Sequence, residues 1–301
     1  MVSPPNQLDA AVRSGVLYVV ATPIGNLGDL GARAAAILAG VDLIACEDTR
    51  HSRRLLDHLG LRKPLCAYHD HNEAQTYPRL LARLRAGESI ALISDAGTPL
   101  ISDPGFSLVR AARAQGVDVV PIPGPSALIC ALSAAGLPSD RFLFLGFAPR
   151  TSAARRAFFD QLAEEPGTLL FYETGKRLVA TLEDSRAMLG ERRQAVIARE
   201  LTKRFETFLT GSLGDLHARV SADSEQQLGE FVLLIEGAGG GEGARQEREE
   251  ARILDILCRE LPTRQAAALT ARITGGQRNR LYRAALTRQR SESQADDSSY
   301  P

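Results

Sequence analysis

Residues 94–105 read SDAGTPLISDPG. Two Ser-Asp pairs, two prolines and two glycines put carboxylates, Asp95 among them, on a stretch that fits neither helical nor strand spacing. A connection between elements of an α/β unit usually takes about 2–6 residues, so a longer loop of this composition points to ligand binding. Two further turns have a similar character. In ATPIGNLGDL, over 21–30, Gly25 and Gly28 let a ligand approach the backbone closely. The GxGxxG of a dinucleotide fold and the GKS/T of a phosphate loop are both missing there, so a tight turn without a ligand is the competing reading. In PIPGPSAL, over 121–128, Ser126 opens a helix whose free amides attract a carboxylate, although a plain helix cap accounts for it equally well.

Four of the five histidines, His51, His58, His69 and His71, fall in one window with Glu47, Asp48, Asp70 and Glu73. Imidazole and carboxylate are ligands of zinc and manganese. HExxH is absent, however, and His69 and His71 share one face of an extended segment without an obvious third ligand, so no metal is expected. The same window holds Arg50, Arg53, Arg54, Arg62 and Lys63 against Asp57. A polar, basic rim of that kind suits phosphates.

The elements that must position these loops follow from hydrophobic periodicity. The runs VLYVVAT, VDLIACE, PLCAY, SIALIS and VDVVPI alternate with Ala/Leu/Arg-rich stretches at helical spacing. Such runs belong to strands buried on both faces, which predicts a first α/β domain over 14–123, a parallel sheet with helices on both sides. The ligand loops then follow strand C-termini, where open α/β sheets collect ligands. Past Gly124 the runs are FLFLGF, TLLFYE, QAVIARE, FETFLTG and EFVLLIEG. Too few residues separate the third from the fourth for a helical crossover. Those two are expected as antiparallel neighbours in the mixed sheet of a second α/β domain, 124–237.

Five of the seven residues over 237–243 are glycine and ARQEREEAR follows, the pattern of a flexible linker running into a solvated helix. From Leu261 to Arg290 there are seven arginines and no acidic residue. Thr263 is placed to cap a helix carrying Leu269 and Ile273, Gly275 and Gly276 to turn the chain, and a second helix to carry Leu281, Tyr282 and Leu286. This small basic helical domain, 245–290, has the pattern of a helix-turn-helix that would offer Arg264, Arg278 and Arg280 to a nucleic acid. A basic hairpin packed on its own protein is the alternative.

Over the 301 residues, 36 Lys plus Arg balance 36 Asp plus Glu, and 44% of the residues are apolar. That composition suits a soluble protein of about two domains, and it excludes wholesale disorder and a polyanion binder acting through net charge alone. The four cysteines (Cys46, Cys66, Cys130, Cys258) form no CxxC pair, which argues against a disulfide framework or zinc ribbon and for a reducing cytoplasm. The uncharged segment 119–138 carries prolines at 121, 123 and 125. They leave an apolar helix of about 13 residues, short of the ~20 that a bilayer needs, so a strand, a turn and a buried helix are expected. No secretory signal is read at the start, and 1–13 and 291–301 read as mobile ends.

Together, YVVATPIGNLGDL, ACEDTRHSRRLL, YHDHNE, ISDAGTPLISDPG, PIPGPSAL, FLGFAPR, ARELTKRFET and GEFVLLIEG closely resemble the tetrapyrrole methylase superfamily over about 15–237. They resemble in particular its branch that methylates a cytidine ribose 2'-hydroxyl in the decoding region of 16S ribosomal RNA with S-adenosylmethionine. The basic C-terminal unit also resembles the small helical domain of that branch. The resemblance implies two α/β domains enclosing a cofactor cleft, a homodimer, and the small ribosomal subunit as partner. Carried over by motif, Pro23 and Ile24 line the first loop, Asp95, Thr98 and Ile101 the second, and Ser126 and Ala127 the third. Phe171 or Tyr172, Ala198 and Leu234 come from the second domain to pack on the adenosine. The chain departs from the family at FYETGKR, where FYESPHR is common, so Thr174, Gly175 and Lys176 replace Ser, Pro and His.

For the reaction itself, positioning supplies up to roughly 7–11 kcal/mol in favourable intramolecular cases, and a general base about 10²- to 10⁴-fold. Asp48, His71, Glu73 and Glu200 sit in motifs that should rim the cleft, and Lys203 is placed to stabilise the developing alkoxide. Pairing of Glu73 with Arg50 or Arg54 is its structural alternative. Arg50, Arg53 and Arg54 are expected on RNA with the C-terminal arginines. A small-molecule methylase acting on a tetrapyrrole, a metal-dependent phosphohydrolase using the histidines, and a non-catalytic RNA-binding protein are the competing functions.

Overall fold

The computed structural model describes residues 12–239 and 241–286. Five parallel strands, β1 (Leu17–Val20), β2 (Leu43–Cys46), β3 (Leu65–Ala67), β4 (Ile90–Ile93) and β5 (Val119–Ile122), form the first sheet in the order β3-β2-β4-β1-β5. Helices α1 (Ala32–Gly40), α2 (Thr49–His58), α3 (Glu73–Arg85) and α4 (Phe106–Ala114) join them. Side chains alternate across the sheet. Tyr18, Val20, Ile44 and Ile93 pack with Ile37 and Leu38 of α1 and Leu55 and Leu56 of α2. Leu17, Leu43 and Leu92 pack instead with Leu80 and Leu84 of α3 and Leu108 of α4. Both faces are therefore core, which is why the strands read as unbroken apolar runs.

The chain leaves β1 toward β2, past β4, and leaves β4 toward β5, past β1. Two neighbouring strands thus send their connections in opposite directions, which opens a crevice at their C-terminal ends. At the border of the sheet, β5 pairs with β1 in the register Val19↔Pro121. Leu17 N donates to Asp118 O at 2.9 Å and Ala21 N to Ile122 O at 3.4 Å. Alternate residues of β5 therefore turn their backbone groups inward, and Pro121 turns outward.

The apolar segment over 119–138 resolves into β5, a turn and α5 (Ala127–Ala134). Among the described residues no helix is long and apolar enough to cross a membrane. Leu128, Ala131 and Leu132 of α5 pack on Leu170, Val196, Val232 and Leu234 of the second sheet. That sheet comprises β6 (Phe142–Phe147), β7 (Thr168–Thr174), β8 (Gln194–Arg199), β9 (Thr207–Ser212) and β10 (Glu230–Ile235), in the order β6-β7-β10-β8-β9. The β7–β10, β10–β8 and β8–β9 pairs are antiparallel, the last as the short connection required, with Ala198 opposite Phe208. Helix α6 (Ser152–Gln161) supplies the crossover from β6 to β7 that makes the sheet mixed. Helices α7 (Gly175–Leu189) and α8 (Leu213–Ala222) complete this domain. Asp184 of α7, only 3% exposed, lies 2.6 Å from the 5%-exposed guanidinium of Arg155 and accepts from Ser152 Oγ at 2.9 Å and Arg156 Nε at 2.6 Å.

One compact unit holds these sheets and their helices through Ile235, and a second gathers Pro138–Phe142, Gln161–Thr168 and the chain from Glu236 onward. The second contains α9 (Gly241–Glu260), α10 (Thr263–Thr274) and a closing helix over 278–286. Leu254, Ala266, Ala267, Leu281 and Ala285 form its core.

Three sequence readings change here. Helix α9 begins at Gly241, inside the stretch read as linker. Thr263 is the first helical residue rather than the cap, because the Pro262 carbonyl receives the opening bonds from Gln265 N at 2.8 Å and Ala266 N at 3.0 Å. The charged run is not solvated throughout, since Glu250 is 1% exposed and ion-paired with Arg280. The ends expected to be mobile lie outside the described residues except for positions 12 and 13, as do 287–290 of the basic unit.

Candidate functional site

The loops after β1, β4 and β5 are sewn into one platform. Thr22 and Gly97 exchange backbone hydrogen bonds at 2.8 and 3.0 Å, Thr22 Oγ1 donates to Ser94 O at 3.2 Å, and Thr98 Oγ1 donates to Pro125 O at 3.0 Å. Gly97 sits at φ +82°, and a Cβ there would stand 3.4 Å from Ile24 Cγ2. Gly97→Val is expected to cost roughly 1–3 kcal/mol from the left-handed backbone. A fall in the urea midpoint with an unchanged slope would show it.

Only four non-glycine residues among those described have positive φ: Leu100, Ser102, Glu200 and Thr202. Two lie in the SDAGTPLISDPG loop and two in the β8–β9 connection. Each costs of order 1–3 kcal/mol and persists only where surrounding contacts impose it, as at ligand sites. The β8–β9 connection closes on the β1 loop: a Cβ on Gly25 would fall 2.5 Å from Lys203 Cγ.

Two recesses open between these segments, of about 340 and 350 Å³. They share a wall of Ile24, Asp95, Ala96, Lys203 and Glu230. The first recess is floored by Gly97, Thr98, Ile101, Ser102 and Asp103 and faced by Ala127, Tyr172, Ala198 and Val232, with Phe147 and Glu47 beside them. Tyr172 makes edge-on contacts with Phe144 at 4.8 Å and Phe147 at 5.8 Å between centroids, which gives an aromatic platform. Phe171 points the other way, into a buried cluster with Phe158 and Phe159.

Charge in the first recess is predominantly negative. Burial pushes the Asp103 carboxyl up to about 6 against the hydrogen bond from Ser94, and the charges of Glu47, Asp95 and Asp70 add to the rise. Burial raises Glu47 as well, with Asp95 and Asp70 contributing. Glu173 is neutralised locally: it accepts from Thr181 Oγ1 at 2.7 Å and Thr174 N at 2.9 Å and pairs with Arg177 at 3.3 Å. At the wall, Lys203 Nζ lies 2.9 Å from Glu200 Oε1 and 2.8 Å from Glu230 Oε2. Burial alone would lower its pKa, but the two carboxylates raise it. Lys203 is therefore a fixed cation at neutral pH.

Of the residues expected on the cofactor, Ile24, Asp95, Thr98, Ile101, Ala127, Tyr172 and Ala198 meet in the first recess, and Pro23 lines the second. Leu234 is wholly buried in the core behind. Ser126 is the N-cap of α5, without a side-chain cap bond, and lines neither recess. Asp48 is the N-cap of α2, its Oδ1 accepting from Arg50 N at 2.7 Å and His51 N at 3.4 Å. The bond from Arg50 N is the main reason its carboxyl lies below the usual range. Asp48 N also donates to Asp95 Oδ1 at 3.1 Å, which fixes the side chain at the wall.

Glu73 pairs with neither arginine. It accepts from Tyr68 OH at 2.8 Å and Ser107 N at 3.0 Å, and these bonds outweigh the burial that would raise it. His71 stands edge-on to His69, outside both linings. Among the described residues no group of three or more His, Cys, Asp or Glu is gathered to hold a metal. Arg54 and His51 line the second recess, and Arg50 and Arg53 do not. In the C-terminal unit Arg264 and Arg278 are exposed, and Arg280 is engaged by Glu250.

Asp103, Phe147 and Glu230 were not singled out from sequence. The second Ser-Asp of the loop signalled Asp103. Nothing local marks Glu230, which reaches the wall through its place on β10 and its contacts with the β8–β9 connection, its backbone N donating to Glu200 Oε1 at 2.9 Å and its carboxylate pairing with Lys203 at 2.8 Å.

The profile of the tetrapyrrole (corrin/porphyrin) methylases matches residues 16–217, and that of the RsmI C-terminal HTH domain matches 244–289. Ribosomal RNA small subunit methyltransferase I of Pseudomonas aeruginosa is 55% identical over 277 residues, covering 92% of this chain and 98% of the relative. The protein of the same name from Escherichia coli O157:H7 is 52% identical over 278 residues, covering 91% and 96%. Among solved structures, the cobalamin biosynthetic enzyme cobalt precorrin-4 methyltransferase matches with TM-score 0.53 at 13% identity, covering 74% of this chain and 95% of its own. Diphthine synthase matches with TM-score 0.55 at 16% identity, covering 73% and 90%. These likenesses establish the fold.

Proposed function

The chain belongs to the tetrapyrrole (corrin/porphyrin) methylases and, within them, groups with the ribosomal RNA small subunit methyltransferases I. On that premise we propose that it methylates small-subunit ribosomal RNA with S-adenosylmethionine, at the ribose 2'-hydroxyl of a cytidine in the decoding region of 16S RNA. The observation that carries the reading is the first recess: an acidic, aromatic-faced pocket of about 340 Å³ at the switch point of the parallel sheet.

The residues present fit the cofactor's chemistry. Tyr172, Phe147, Ala198 and Ile101 offer apolar walls to an adenine, Asp95 an acceptor for hydroxyl or amino donors, and Asp103 and Glu47 negative charge for a sulfonium. S-adenosylmethionine brings a methyl group already activated on sulfur, so the chain's task is to orient the acceptor and hold charge. Lys203 stands at the wall as a cation able to stabilise a developing alkoxide, and the backbone amide of Asp48 fixes Asp95 between the two recesses. Next to the departure at FYETGKR, Arg177 donates to the carbonyl of Pro149 at 3.3 Å. Arg54, Arg264 and Arg278 supply exposed charge for phosphates, which fix register on RNA.

The test is calorimetry with S-adenosylmethionine, followed by labelled transfer to small ribosomal subunits from cells lacking the modification, with a porphyrinoid acceptor in parallel. The expected outcome is a binding isotherm and label mapped to a cytidine ribose. No heat on addition of the cofactor, or label on the porphyrinoid alone, defeats the reading.

The same titration carries a pH prediction. Asp103 is neutral below about 6 and anionic above it, so affinity for the cationic cofactor should rise as pH passes upward through that value. The gain is about tenfold between pH 5 and 7, the effect of one added charged contact. Asp103→Asn should flatten it. A wild-type affinity independent of pH would show that Asp103 does not face the sulfonium.

A further inference from the structure

We infer that the second recess receives the acceptor as a single unstacked nucleoside, with its sugar at the shared wall and its phosphate at the end of the recess lined by His51 and Arg54. The inference rests on the function proposed above and names the substrate class of its second compartment. Transfer between two substrates needs the reacting atoms about 3–3.5 Å apart, so donor and acceptor must meet across a common boundary. The structure has such a boundary in Asp95, Lys203 and Glu230, each of which lines both recesses.

The second recess is about 350 Å³, enough for one small organic group but not for a stacked strand. Its walls divide by chemistry. Pro23, Leu27 and Leu55 are apolar surfaces for a base. Arg54 brings a guanidinium suited to phosphate. The amides of Arg50 and His51 at the start of α2 are already occupied by Asp48, so phosphate recognition there falls to side chains. Unstacking a nucleotide costs a few kcal/mol, and stacking on protein returns about 1–3 kcal/mol per base. The recess therefore selects a nucleotide in a loop or single strand over one in a duplex.

Two variants test the assignment. Leu27→Trp fills the recess from a side chain that is 43% exposed, and His51→Ala with Arg54→Ala removes its exposed imidazole and guanidinium. S-adenosylmethionine affinity, measured by calorimetry, should stay within about threefold of wild type in both, which also reports that the fold is intact. Methyl transfer to small subunits should fall by about tenfold or more in each, with the double variant acting mainly through KM. Wild-type transfer by Leu27→Trp, with cofactor binding intact, overturns the assignment. A wild-type protein that binds the cofactor but labels no ribosomal subunit defeats the underlying function instead.

Discussion

Lys203→Met should lower methyl transfer to the small ribosomal subunit by about 10²- to 10³-fold, the usual cost of losing one preorganised group that meets developing negative charge. The ammonium is held at a fixed point by Glu200 and Glu230, 2.9 and 2.8 Å away, so it needs no reorganisation when charge appears on the acceptor oxygen. Removing it makes the first recess more negative, and affinity for the cationic cofactor should not fall. The fold should survive as well. Glu230 is 77% exposed at its side chain, and Glu200 keeps the backbone N–H of Glu230. The loss is therefore expected in kcat with cofactor binding preserved. A variant retaining more than about a tenth of the wild-type rate would remove Lys203 from the chemistry.

Asp184→Ala should destabilise the protein by about 3–5 kcal/mol, because it leaves the Arg155 guanidinium buried without its counter-charge. Replacing both partners by apolar residues, Arg155→Met with Asp184→Leu, should recover much of that loss, since the desolvation of both charges is removed together. The dependence on acid follows from the same contacts. Burial alone would raise the Asp184 carboxyl, but the bonds from Arg156, Ser152 and Arg155 bring it below its usual value. A depressed carboxylate contributes stability that is present above its unfolded pKa of about 3.9 and is lost as pH falls through the lower folded one. Wild-type unfolding midpoints should therefore drop below about pH 4 more steeply than those of the doubly apolar variant. Equal acid profiles would show that Asp184 contributes little to acid sensitivity.

The architecture was legible wherever burial is two-sided. β2 and β4 are buried at all four positions, so LIAC and IALI carry an unambiguous signal. The short gap before FETFLTG likewise forced an antiparallel pair. The SDAGTPLISDPG loop stood out because no regular element tolerates its composition, and seven of the ten residues expected on the cofactor meet in one recess. What was hidden depends on distant pairing. Glu73 is a first-turn glutamate by sequence, and only the approach of Tyr68 and Ser107 commits its carboxylate. Glu250 sits in a run that reads as solvated, and Arg280, thirty positions later, is what allows it to be buried. Asp48 is the converse case: an Asp before a helical run is a cap signal, legible without any distant partner.

Pro121 gives the margin of the first sheet a particular property. Its nitrogen has no hydrogen and lies on the side of β5 turned away from β1, so the row of donors that an incoming strand would engage is broken at its centre. An added strand would find no donor at that point, so this edge of the five-stranded sheet resists edge-to-edge pairing.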